Sequence, residues 1–82
     1  MTPTTDQIAA LKQAIKDKLR KVSEDYGMAT FMQTGTAGAY WFCESAIVPK
    51  AMAEYMRNNK PGRAEYKAAA ILDMDTGAFV KG

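Results

Sequence analysis

"RAEYKAAAILDMDTGAFVKG", Arg63 to Gly82, decides the fold. The three consecutive alanines, Ala68 to Ala70, favour helix, because alanine has the highest intrinsic helix propensity. The second half points the other way. "ILDMDTGAFV" alternates around Asp75-Thr76-Gly77, a turn in which glycine supplies a left-handed backbone. As a hairpin, the tail pairs Tyr66 to Met74 with Ala78 to Lys81. As a helix, it runs from Arg63 to Asp73. The hairpin reading is preferred. It gives an α+β fold of order α-β-β-α-β-β, a small single domain with an antiparallel sheet packed by two helices. The helical reading leaves a mostly α chain with one central hairpin.

Upstream, Ile8, Leu11, Ile15, Leu19, Val22 and Tyr26 form one apolar stripe at helical period, which predicts a helix over about residues 5 to 26. Thr4 and Gln7 have capping-box spacing at its start. Gly27 stands where a glycine commonly ends a helix. The middle of the chain reads as strand, loop and strand: Ala29 to Gln33, Thr34 to Gly38, and Ala39 to Cys43. Alternation in the second strand sends Tyr40 and Phe42 one way, and Ala39, Trp41 and Cys43 the other. Pro49 opens a second helix, with Met52, Tyr55 and Met56 as its apolar face and Lys50, Glu54 and Arg57 outside. Asn58, Asn59, Pro61 and Gly62 end it. A longer helix from Ser45, kinked at Pro49, is the rival reading. Both helices precede a Thr-Gly-bearing hairpin, which hints at two similar halves.

Composition excludes more than it identifies. A chain of 82 residues buries roughly 60% of the surface its unfolded form exposes, so partners or self-association can add burial. Net charge is +2, too mild to argue for nucleic acid by itself. One cysteine excludes an internal disulfide framework and implies a reducing compartment. Met1 to Ile8 lacks the apolar core of a signal peptide, and no run approaches the roughly 20 apolar residues of a membrane span. A cytoplasmic protein with no membrane association is expected. There is no histidine, which removes the commonest general base and the commonest metal ligand. No catalytic residue, cofactor or metal site is expected, and the protein is not read as an enzyme.

Several residues still invite a functional reading. Gly35 and Gly38 lead into a strand, not into the Lys-Ser or Lys-Thr of a phosphate loop, so they read as a turn. Cys43 is flanked by Phe42 and by Glu44, whose carboxylate raises a thiol pKa, so it reads as structural. Asp73 and Asp75 read as turn residues. Large aromatics on one sheet face are different, because an open apolar face marks an interaction site. Tyr40, Trp41 and Phe42 are therefore partner-binding candidates, with Trp41 assigned to the core and the other two toward a partner. Lys12, Lys16 and Arg20 form a basic row at i, i+4 spacing, with Asp17 expected to pair with Lys21.

Together these residues suggest a non-catalytic interaction protein that binds and occludes or regulates a larger protein or nucleoprotein complex. Small accessory proteins of phages and mobile elements, including inhibitors of host or defence machinery, share this size and chemistry. Direct nucleic-acid binding through the basic row with Arg57, Lys60, Arg63 and Lys67 is the second expectation. Self-assembly into a homo-oligomer, through the helix stripe or a sheet edge, is the third.

Overall fold

The computed structural model describes residues 2–59 and 66–82. The elements are α1 (Thr5–Asp25), β1 (Met28–Ala37), β2 (Tyr40–Pro49), α2 (Lys50–Asn58), β3 (Lys67–Asp73) and β4 (Ala78–Lys81). The four strands form one antiparallel sheet in the order β1-β2-β3-β4. The α+β class and the α-β-β-α-β-β order therefore hold, and the helical tail does not. The helical rival's start, Arg63, lies outside the described residues, as do Pro61 and Gly62 at the expected end of the second helix.

Tertiary packing overrides alanine's helix preference here. Ala70 pairs directly with Cys43, and Leu72 with Trp41. These four residues and Ile15 of α1 make the buried core, with Ile8, Leu11, Leu19, Met32, Met74 and Phe79 packed around it. A fully buried alanine leaves room for the helix that crosses above. The turn chemistry agrees. The Asp73 carboxylate accepts from the N–H groups of Asp75 (3.0 Å) and Thr76 (3.4 Å). The Gly77 N–H donates to the Asp73 carbonyl at 2.8 Å, and Gly77 takes a φ of +71°. Asp73 is thus a turn-former, and Met74 belongs to the turn rather than to the strand.

α1 starts as its sequence requires. Gln7 N–H donates to Thr4 Oγ1 (3.2 Å), and Thr4 N–H to Gln7 Oε1 (2.8 Å), which closes the capping box. Its far end departs from the expected stripe. Val22 is 44% exposed and Tyr26 80%, while Ser23 is 2% exposed. Ser23 tolerates burial because its hydroxyl donates to the Arg20 carbonyl at 2.8 Å. Asp17 does not pair with Lys21. It lies 3.6 Å from Arg20, and Lys21 lies 3.4 Å from Asp25.

The central hairpin is longer than expected. Thr34 to Ala37 continue β1, so the turn shrinks to Gly38-Ala39, with φ +60° at Gly38. Threonines at 34 and 36 favour a pleated backbone. Gly35 is kept in the strand by packing: a Cβ there would come within 2.6 Å of the Phe42 ring, which lies over it from the paired position. β2 also runs on past Cys43 to Pro49, so no helix begins at Ser45. α2 contacts β1 and β2 and buries Ala53, not Met52 or Tyr55. The repeated α-β-β order is present in unequal halves, since α1 has 21 residues and α2 nine. Among the described residues, no helix is long and apolar enough to cross a membrane.

Candidate functional site

The sheet's two faces have separate roles. Thr30 Oγ1 lies 3.5 Å from the Leu19 carbonyl, which places Thr30 on the α1 side of β1. Alternation and register carry Met32, Trp41 and Cys43 to that same side. Tyr40, Phe42 and Glu44 consequently face away from α1. Trp41 is 4% exposed. This is the core position assigned to the indole from its strand alternation, so Trp41 leaves the set of partner-binding candidates, which keeps Tyr40 and Phe42.

Tyr40 is 46% exposed, and Phe42 is half-buried beside it. Ile71, paired with Phe42 across β2 and β3, extends this patch. Ala37, Tyr40, Phe42, Glu44, Ala68 and Ile71 line a shallow groove of about 410 Å³. The groove is apolar at its centre and has one carboxylate at its edge. Glu44 accepts from the Gln33 amide at 2.6 Å, which fixes that edge. Sequence reading missed Ile71. Its period-two spacing from Asp73 was the available signal, since both had to share a face.

The basic row is divided among different tasks. Lys12 Nζ sits 5.7 Å from the Trp41 ring centroid, within cation–π reach. Lys16 lies near Cys43. Burial pushes the Cys43 thiol up from its ordinary range, Lys16 opposes this, and Glu44 adds to it. A buried thiol shifted upward is a poor nucleophile. Arg20, paired with Asp17 at 3.6 Å, lines a cleft of about 600 Å³ between α1, β1 and α2 together with Lys50, Arg57 and Glu24. The structure thus gathers Arg20 with Lys50 and Arg57, and not with Lys12. Arg57 belonged to the expected nucleic-acid surface, whereas Lys60 and Arg63 lie outside the described residues. Lys50 in this cleft was not anticipated, because sequence alone does not show that α2 lies beside α1.

Two further apolar surfaces are exposed. Met52 and Tyr55 of α2 face outward, and Val22, Tyr26, Met28 and Ile47 line a groove of about 430 Å³ with Ser23. No group of three or more His, Cys, Asp or Glu side chains that could hold a metal ion is found among the described residues. Compared with known proteins, the chain matches no family model, and no curated protein or solved structure matches it.

Proposed function

We propose that this protein is a non-catalytic interaction module that binds a larger protein or nucleoprotein complex and acts by occupying its surface. One observation carries the reading: Tyr40, Phe42 and Ile71 form an apolar, aromatic patch on the sheet face opposite α1, where the core makes no use of them. Tyrosine is a favoured anchor at interfaces, since it brings a large apolar area and a hydroxyl with little rotamer entropy. The cationic cleft of Arg20, Lys50 and Arg57 adds electrostatic steering toward an acidic partner. Occupancy needs neither a nucleophile nor a general base. A cytoplasmic inhibitor or regulator of the kind carried by phages and mobile elements fits this chemistry.

The test uses tagged wild type and the exposed-face variant Tyr40→Ala in nuclease-treated host lysate. The reading expects a defined protein complex that survives a high-salt wash and is reduced at least tenfold by Tyr40→Ala, with the thermal midpoint unchanged. Equal capture by both proteins overturns it.

Direct nucleic-acid binding is the second reading, supported by the convergence of Arg20, Lys50 and Arg57. Binding by phosphate contacts weakens steeply with salt. A complex that disappears on nuclease treatment and on raising salt favours this alternative.

A further inference from the structure

The two edges of the sheet, β1 and β4, are built differently. β4 has four residues, ends in Lys81, and slips in register between Ile71 and Leu72 of its partner. Shortness, a lysine and a bulge are ordinary ways of keeping an edge from pairing with another chain. β1 has none of these. It is ten residues long, MATFMQTGTA, without charge or proline. Its register with β2 is unbroken from Met28–Pro49 to Ala37–Tyr40.

α2 stands against the first half of this edge. Met28, Ala29, Thr30 and Met32 share the cleft with Lys50, Ala53 and Arg57. The second half, Gln33 to Ala37, lies beyond that cleft, and all of its residues but Gly35 are exposed. The turn determines which backbone groups face outward. Ala37 and Tyr40 flank a two-residue turn, so they exchange the closely spaced pair of hydrogen bonds. By alternation, Gly35 and Gln33 also bond inward to β2. Thr34 and Thr36 then direct their N–H and C=O groups away from the sheet.

We infer that Gln33 to Ala37 pairs antiparallel with the same segment of a second copy, about a twofold axis at Gly35, joining two sheets into one of eight strands. Thr34 meets the partner copy's Thr36, and the outward backbone groups of both are satisfied. Self-pairing places a strand against itself, so a charged segment sets like charges close together. This segment carries no charge, and opposed threonines are a favourable cross-strand pair. The segment touches the Tyr40 and Phe42 groove at Ala37 and through the Gln33–Glu44 bond. Pairing, however, uses the outward backbone of Thr34 and Thr36, and the partner reading uses the Tyr40 ring, so Tyr40→Ala and Thr34→Pro test the two readings separately.

Sedimentation velocity over a hundredfold concentration range tests the inference. Wild type is expected to reach twice the chain mass. Thr34→Pro deletes an outward N–H and no bond to β2, so it should weaken the dimer at least tenfold while circular dichroism is retained. If that variant fails to fold, the double variant Thr34→Lys/Thr36→Lys decides. It sets lysine against lysine and should dissociate at low salt, with partial recovery at high salt. A wild-type monomer at every concentration overturns the inference, as does a dimer that neither folded variant weakens.

Discussion

Cys43 shows how a single residue can be decided by its surroundings. The side chain is fully buried between Ala70 and α1, and burial raises its pKa, with Lys16 opposing and Glu44 assisting. In the unfolded chain the thiol releases its proton from about pH 8.5. The folded chain still holds that proton, so above this pH the native state binds more protons than the unfolded one. Stability attributable to Cys43 is therefore complete below about pH 8.5 and declines as pH rises toward the folded-state value. Urea midpoints of wild type and Cys43→Ala, measured from pH 7 to pH 10, check this. The variant should start roughly 1 kcal/mol lower and lose less on going alkaline. Lysines and tyrosines common to both proteins cancel in the difference. Parallel curves would remove the thiol from the account. Phe42 and Gly35 make the complementary case, in which one residue is glycine because its paired neighbour covers the space.

Among the elements, α1 was the most legible in sequence. Its capping box, its first three turns and Gly27 at its end are local features, and local chemistry determines them. Thr4→Ala should cost about 1 kcal/mol, read as a lowered urea midpoint at unchanged slope, because it removes a partner from a first-turn donor. No shift in midpoint would mean that the cap contributes nothing. Non-local features were harder to read. The expected stripe took a three-residue step from Leu19 to Val22, whereas the buried line keeps four-residue steps through Ile15, Leu19 and Ser23, which leaves Val22 and Tyr26 outside it. α2 presented an apolar face by sequence, yet it buries Ala53, since a short helix beside β1 packs most closely through a small residue. Glycines at 35 and 38 looked like one loop. The cross-strand aromatic that keeps Gly35 in β1 is visible only once the register is known. In the candidate site, alternation placed Tyr40 and Phe42 opposite Trp41, but the grouping of Arg20 with Lys50 and Arg57 depended on how α2 lies.

For the whole molecule, the balance between core and surface is the governing quantity. A chain of this size has little area to bury, and the core cluster among the described residues is small: Ile15, Trp41, Cys43, Ala70 and Leu72, with Ala46, Ala53 and Ser23 buried outside it. Tyr40, Ile47, Met52, Tyr55, Tyr26 and Val80 remain exposed. Such a surface is consistent with a protein that completes its burial against other molecules, whether a partner on the sheet face or a second copy at β1. The two modes share Ala37 at the groove's border, while Phe42 and Ile71 lie on the face away from the edge strand.

The indole under Lys12 also gives the chain a native optical gauge. Trp41 is its one tryptophan and sits where α1 meets the sheet. Excited at 295 nm, the protein should emit in the blue-shifted range of a dry indole and shift to the red in one sigmoidal step as urea separates helix from sheet. Partner capture at Tyr40 should leave that colour unchanged, so emission can separate loss of binding from loss of fold without any label.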